Sequence, residues 1–427
     1  MAAYLFCLTT GGGVPLFTRS KPDLKPLPYP VVGSLNVVHM FGANHDANLV
    51  STTTEHTKLV WRVYHDSSIT LIVISVDKRA SDSQLQRFLD NVFNSMVLLL
   101  GLDEIITIKN VERLKRDLRS CYRLIDCLMD SSEMYGDVTG CVDVMMCQEQ
   151  LILQDYLDSF VNSADSTFGC LLVSGKVAVA TTKWWDLTGQ EMYLLSLLAR
   201  VLPPGSSKDI PVYLPHGSPN VPHRLLNFQI IQGVEVCVLC GPTPSLTEVE
   251  TELLDRYWRP AMESLRSCLR IHLRGFPSNI SVHIGVLGLI IMHVELHKCL
   301  GTVHPLSSEE SQKQGKSLSI ARRRDILRSF YQSVTGTVFP PTPGTTPPEV
   351  VENGHGDGLA SESPVEPHTE FVHSPLDTYM VGEDHKCYAT REGPYQIYVL
   401  FSKDVPKYAL RSISMTTLSA LTKDKLF

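Results

Sequence analysis

The strongest constraint on the fold is an order of apolar runs and turns that occurs twice along the chain. Residues 4–8 and 14–17 are apolar and flank Gly11, Gly12 and Gly13, and glycine supplies the positive φ that a tight hairpin needs. A helical stretch, three β-rich runs and a long amphipathic helix follow. The same order begins again at residues 168–173, so the sequence predicts repeated modules built as strand, strand, helix, three strands and helix.

A third copy of this order is interrupted. Residues 285–303 predict its opening hairpin, and strand and helix patterns resume at residue 388. Between them, residues 339–375 are rich in Pro, Gly, Glu, Ser and His, and such a segment cannot bury enough apolar surface to offset its chain entropy. We therefore expect a disordered insertion there. The predicted domains are residues 1–135, 136–274 and 275–427.

Composition agrees with three folded modules and excludes some classes of function. The chain has 427 residues, about three domains at roughly 150 residues each, and 43% hydrophobic residues suffice for buried cores. The net charge of −7 argues against nucleic-acid binding, because neutralising phosphates requires a clustered excess of Lys and Arg. The 11 cysteines are scattered, many of them within apolar runs, and predict reduced, buried thiols in a cytoplasmic protein.

Two motifs have the spacing of metal or redox sites but lack the remaining groups. Cys237 and Cys240 form a C-x-x-C pair without a second pair for zinc, and they lie in a strand pattern instead of at a helix start. His293 and His297 are four residues apart, but a zinc protease needs Glu directly after the first His, and here Glu295 follows one position later. If this segment is a strand, His293, Glu295 and His297 lie on one solvent-facing side.

A histidine-flanked loop is the remaining candidate for chemistry. His216 and His223 flank a Gly- and Pro-rich loop at residues 215–222, with Ser218 within it. A hydrolase would need a nucleophile elbow of the G-x-S-x-G type, which the sequence lacks, so we expect a rigid surface loop. From these motifs we predict no catalytic residue, no metal site and no cofactor.

The segment at residues 31–44 is apolar on more than one side if it is helical. One side carries Val32, Leu35, His39 and Gly42, and the second side carries Val37, Met40, Phe41 and Asn44. A helix with two apolar sides is either deeply buried or meets another chain. The second set is therefore a candidate partner-binding surface.

Two further groups are candidates for binding. Trp184 and Trp185 are adjacent, and either both pack in the core or one packs inside while the other anchors a partner. Arg322, Arg323 and Arg324 form the strongest basic cluster. Such a cluster predicts either contact with anionic lipid head groups, as in a phosphoinositide membrane, or a solvated helix face.

Several segments carry a resemblance to a known family. They read VVGSLNVVHMFG at 31–42, HDSSITLIVIS at 65–75, KNVERLKRDL at 109–118, PVYLPHGSPNVPHRL at 211–225 and LCGPTP at 239–244. The chain resembles the tri-longin proteins nearly from end to end, a group that includes subunits of Rab exchange-factor heterodimers. The resemblance implies an α/β (α+β) fold of three longin or roadblock-like modules, each a five-stranded, mostly antiparallel sheet flanked by helices.

The resemblance also implies a function without bond-breaking chemistry. It implies a non-enzymatic scaffold subunit of the assembly called CPLANE, which acts at the ciliary basal body in ciliogenesis, intraflagellar transport, planar cell polarity and Hedgehog signalling. The implied partners are Inturned, which pairs through longin domains, the propeller protein Fritz and the Rab-like GTPase Rsg. The alternative is a subunit of a heterodimeric guanine-nucleotide exchange factor for a Rab GTPase, active only when paired with Inturned. The implied location is cytoplasmic, on the cytoskeleton of the basal body.

Overall fold

Mostly antiparallel sheets with helices on their faces make up the fold. A computed structural model describes residues 2–21, 23–45, 47–64, 68–76, 80–130, 134–205, 207–306, 318–339 and 375–423. Within these residues the chain forms three sheets, two of five strands and one of six. The predicted α/β (α+β) class with three related modules is confirmed.

The first domain is a sheet with a helix on each face. Its strands are ordered β2-β1-β5-β4-β3, with bounds β1 Ala2–Thr9, β2 Pro15–Ser20, β3 Ser51–Thr53, β4 Lys58–Tyr64 and β5 Ile69–Ser75. The glycine hairpin is confirmed, and Gly13 takes the positive φ of 60° that its turn requires. The helices are α1 Tyr29–Ala43, α2 Asp82–Leu100, α3 Leu102–Ile106, α4 Val111–Asp117 and α5 Tyr122–Met129.

The second domain repeats this topology, with strand order β8-β7-β11-β10-β9. Its opening turn is left-handed at Ser174, with φ 50°, and at Gly175, with φ 80°. Ahead of this sheet lie α6 Gly136–Thr139, β6 Val142–Asp143 and α7 Gln150–Ser163. The sheet and its helices are β7 Phe168–Val173, β8 Lys176–Ala180, α8 Thr182–Trp185, α9 Gly189–Val201, β9 Lys208–Leu214, β10 Ser218–Ile231, β11 Val234–Cys240, α10 Leu246–Glu248, α11 Leu254–Trp258 and α12 Met262–Ile271.

The third sheet has one strand more than the predicted five. Its elements are β12 Val286–His293, β13 Lys298–Thr302, α13 Ile320–Thr337, β14 Asp377–Val381, β15 His385–Glu392, β16 Tyr395–Ser402 and α14 Leu410–Thr422. The order is β14-β15-β16-β12-β13-β6, and β6 pairs with β13 in parallel through Lys298 and Val142. A two-residue strand carries too little periodicity to be found from sequence.

The predicted insertion at residues 339–375 lies outside the described residues, apart from its two ends. Phe339 is buried, with its ring 6.4 Å from that of Tyr398, so the third domain's core extends to this residue. The domain boundaries after residues 135 and 274 stay predictions. Tyr135 and Cys141, on either side of α6, pack into the core of the third domain.

A shared core connects the three domains. Leu71 of β5, Cys170 of β7 and Ile291 of β12 come from different sheets and belong to one continuous apolar cluster. Helix α2 lies between the first sheet and β9 of the second. A hydrogen bond of 2.7 Å from the amide of Gln190 to the side-chain oxygen of Asn91 also joins the first two domains. The modules are therefore packed together and not strung on exposed linkers.

Candidate partner-binding surface

Helix α1 lies across the outer face of the first sheet. It begins after Pro28, whose extended backbone (φ −61°, ψ 143°) suits the residue before a helix. Val32 is buried with Trp61, and the indole Nε1 of Trp61 donates a hydrogen bond of 3.3 Å to the carbonyl of Leu35. These contacts fix which side of α1 faces the sheet.

Helix α1 has polar residues on its inner side and apolar residues on its outer side, unlike an ordinary surface helix. Its inner side includes Asn36 and His39, which are 4% and 6% exposed. Among the described residues, Oδ1 of Asn36 and Nδ1 of His39 have no hydrogen-bond partner, which is costly for buried polar atoms. The outer side carries Val37 at 64% and Phe41 at 66% exposure. An apolar outer side is a feature of interaction surfaces.

The structure brings the four residues of the second set to the outer side. Val37, Met40 and Phe41 of α1 are exposed, and so is Asn44, which directly follows the last residue of the helix. Sequence reasoning missed Val38, which is also exposed. The signal was present, since Val38 follows Val37 directly and widens the same apolar stripe. We call Val37, Val38, Met40, Phe41 and Asn44 the α1 outer face.

The two tryptophans lie in different surroundings. Trp184 is fully buried in α8, where its backbone N–H donates to the hydroxyl of Thr181 at 3.4 Å. Trp185 is half-buried, and the ammonium of Lys298 lies 3.9 Å from its ring centroid. Because Lys298 belongs to β13, the Trp185 ring is covered from within the chain, between the second and third domains. Trp184 therefore belongs to the core and Trp185 contacts the third domain, while a role of Trp185 in partner binding stays a prediction.

Arg322, Arg323 and Arg324 do not share one face. Successive helical residues diverge by about 100°, so α13 directs the three side chains to different sides. Arg322 is exposed, whereas Arg323 is half-buried and donates to the carbonyl of Leu318 at 3.0 Å. Arg324 lines a cleft between the second and third domains. The three residues therefore do not form one continuous basic surface, and lipid binding by them stays a prediction.

The histidine motifs are placed differently from the predictions. His293 ends β12 and is buried, with its ring centroid 4.9 Å from that of Tyr395, while Glu295 and His297 lie exposed in the turn that follows. The expectation of three solvent-facing residues on one strand is therefore wrong. The expected loop at residues 215–222 is also shorter, because β10 already begins at Ser218.

The cysteine pair lies in a strand, as the sequence indicates. Cys237 and Cys240 are buried in β11, and burial raises the pKa of Cys240 to about 11. A thiol with a raised pKa is a poor nucleophile at neutral pH. Across the described part of the chain, no group of three or more His, Cys, Asp and Glu side chains is arranged to hold a metal ion. Nor does that part contain a helix long and apolar enough to cross a membrane.

Known protein families match this chain along nearly its whole length. Residues 3–128 match the family described as the first longin domain of FUZ, MON1 and HPS1, residues 164–259 match the second, and residues 285–425 match the third. The Xenopus tropicalis protein fuzzy homolog is 47% identical over 424 residues, covering 99% of this chain and 98% of that protein. The Homo sapiens protein fuzzy homolog is 44% identical over 423 residues, covering 98% and 97%. With three longin domains in the same order and this identity throughout, the chain belongs to the fuzzy homolog family of longin-domain proteins.

Proposed function

We propose that this chain is a non-enzymatic scaffold subunit of the CPLANE assembly, and that it pairs with Inturned through its first longin domain. The observation that carries this proposal is the α1 outer face, on which Val37, Val38 and Phe41 are each more than half exposed. Water contact with so many apolar atoms is unfavourable, and covering them with a second protein removes that cost. Membership in a longin-domain family favours another longin protein as that partner.

The paired domains would then bind a small GTPase of the Rab-like type, with Rsg as the proposed case and Fritz as a further subunit. Such binding recognises the switch segments of the GTPase, whose order depends on the bound nucleotide. It needs no activated nucleophile. The longin-domain family is in general non-catalytic, which favours this mode. The proposed setting is the ciliary basal body, in cilium assembly, intraflagellar transport, planar cell polarity and Hedgehog signalling.

The test is co-purification of the full chain with Inturned after a change in the α1 outer face. We expect Met40→Gln with Phe41→Gln to abolish co-purification and any GTPase binding that depends on the pair. The melting temperature of the chain alone should shift little, because Phe41 is 66% exposed. A matched control is Leu151→Gln with Ile152→Gln, which changes two exposed apolar residues of α7 (77% and 50%) and should leave pairing intact.

Two results would contradict this proposal. Pairing that survives the α1 change places the partner elsewhere on the chain. Unfolding of the chain by the α1 change assigns that face to the core. Release of a fluorescent nucleotide from the GTPase by the pair, measured in the same samples, would instead favour the exchange-factor alternative.

A further inference from the structure

Strand β14 is an open edge of the third sheet. It pairs with β15 on one side, and none of the described strands pairs with it on the other side. Its sequence, DTYMV at 377–381, contains no Lys or Pro, and its register with β15 is unbroken along its whole length. Proteins usually block a sheet edge with Lys, Pro or a bulge, because an open edge accepts a further strand.

The corresponding strand of the second domain is protected. Strand β9 has the same position in the second sheet as β14 has in the third, at the edge opposite the opening hairpin. It contains Lys208 and Pro211, and α2 of the first domain packs against it. An open edge at this position is therefore a property of the third domain and not of the repeated module as such.

The hydrogen bonds of β14 show which backbone groups are directed away from the sheet. The N–H of Arg391 donates to the carbonyl of Leu376, and the N–H of Gly382 donates to the carbonyl of His385, each at 2.9 Å. Since successive residues direct their backbone groups to opposite sides, every second residue from 376 to 382 faces β15. The residues between them direct their N–H and C=O groups outward; they are Asp377, Tyr379 and Val381.

These outward groups are self-complementary. If a second copy of β14 lies antiparallel beside the first, with a two-fold axis at Tyr379, each Tyr379 is opposite the other. Asp377 of each copy is then opposite Val381 of the other copy. Every such pair joins two outward-facing residues, so the strands exchange about six backbone hydrogen bonds. A contact in which the same patch is used by both subunits is the commonest arrangement in homodimers.

The side chains and charges of β14 fit the same arrangement. Tyr379 is 58% exposed and lies opposite Tyr388 of β15, so the axis would extend this aromatic row across the interface. The carboxylate of Asp377 accepts a hydrogen bond of 2.8 Å from the hydroxyl of Tyr388 and lies 3.5 Å from the guanidinium of Arg411. Its charge is therefore compensated within the chain. Because Asp377 is opposite a valine, no like charges meet across the axis.

We propose that β14 pairs with β14 of a second copy of this chain, in a two-fold dimer that joins two third-domain sheets at Tyr379. The proposal is independent of the α1 outer face, which belongs to the first domain, and of pairing with Inturned. A single pair of five-residue strands is smaller than a standard stable interface. The dimer is therefore weak and dissociates on dilution.

Sedimentation velocity of the full chain, from about 1 to 100 µM, measures this dimer and its Kd. We expect Tyr379→Lys to raise the Kd about tenfold or more, since two ammonium groups then meet at the axis. The matched control is Tyr408→Lys, which makes the same change at a residue of the third domain that is 88% exposed and lies outside β14. This control should leave the Kd unchanged.

Two further measurements test the backbone pairing and the axis. Val381→Pro removes one outward N–H from each copy, and edge strands tolerate Pro where the N–H faces away from the sheet. It should weaken the dimer while the melting temperature of the chain shifts little. Tyr379→Lys mixed with Tyr379→Glu should associate again, because opposite charges then meet at the axis.

The outcomes separate a second copy from other ways of covering this edge. A chain that is monomeric at every concentration overturns the proposal, and if Val381→Pro then abolishes co-purification with Inturned, the edge belongs to that partner. A dimer that persists in both Tyr379→Lys and Val381→Pro also overturns it. So does a mixture of the Lys and Glu variants that stays monomeric. Loss of the dimer in Met40→Gln with Phe41→Gln, but not in Tyr379→Lys, would assign self-association to the α1 outer face instead.

Discussion

At the scale of single residues, the buried face of α4 can be tested by substitutions at Leu118 and Lys115. Leu118 is fully buried at the end of α4, whereas Lys115 is partly exposed and pairs with Glu112 at 2.8 Å. We expect Leu118→Ala to lower the free energy of unfolding by about 2–5 kcal/mol, because it removes buried methyl groups and leaves a cavity. Lys115→Ala should hardly change it, since exposed ion pairs contribute little. Chemical denaturation of both variants measures the difference, and equal losses would show that the buried face is wrong.

At the scale of an element, the start of α2 is the most testable feature. The hydroxyl of Ser81 accepts from the backbone N–H of Gln84 at 3.3 Å, and the backbone N–H of Ser81 donates to the side chain of Gln84 at 3.0 Å. This capping box satisfies two N–H groups that a helix start leaves free. Ser81→Ala should therefore lower the free energy of unfolding by about 1 kcal/mol.

The control for the cap is a serine in the middle of a helix. Ser333 is exposed within α13, so Ser333→Ala should leave stability unchanged or raise it slightly. Thermal unfolding monitored by circular dichroism compares the two variants. A loss of the same size in both would mean that the cap of α2 has no special effect. Because the side chain of Gln84 also donates to Thr335 at 3.1 Å, this helix start touches the third domain as well.

At the scale of the whole molecule, the ion pair of Asp137 and Arg328 joins distant parts of the chain. Asp137 belongs to α6 and Arg328 to α13, and the guanidinium also donates to the carbonyl of Met134 at 2.9 Å. Burial lowers the pKa of Arg328, but the Asp137 carboxylate outweighs this and the pKa is raised. Asp137→Ala should cost about 3–5 kcal/mol of stability, because it leaves a buried charge without its partner.

Two further variants test that assignment. Asp255→Ala breaks an exposed ion pair with Arg259 and should change stability little. Replacing both members of the buried pair, with Asp137→Leu and Arg328→Met, should recover most of the loss, since no buried charge remains. Urea denaturation of the three variants gives the comparison. If the double variant is as unstable as Asp137→Ala, then Asp137 stabilises the fold through something other than its charge.

The sequence alone predicted most of the local elements and separated the two sets of side chains on α1. Hairpins, strands and helices follow from glycine turns and from hydrophobic periods of 2 and 3.6, which are properties of neighbouring residues. For the same reason the two sides of α1 could be told apart in advance, but the structure decided that Val32 and His39 face the sheet while Val37 and Phe41 are exposed. These positions depend on spacing along one helix.

Only the tertiary structure decided which side chains meet across long distances in sequence. The sequence left open whether Trp184 and Trp185 are both buried, and the fold buries the first and places Lys298 over the second. Arg324 looks like part of a basic run, yet it lines one cleft with Lys176 and Arg200, more than a hundred positions away. Residues so far apart are brought together by the order of strands and the packing of domains. Local periodicity cannot encode such contacts, because it records only what lies within a few turns of the same element.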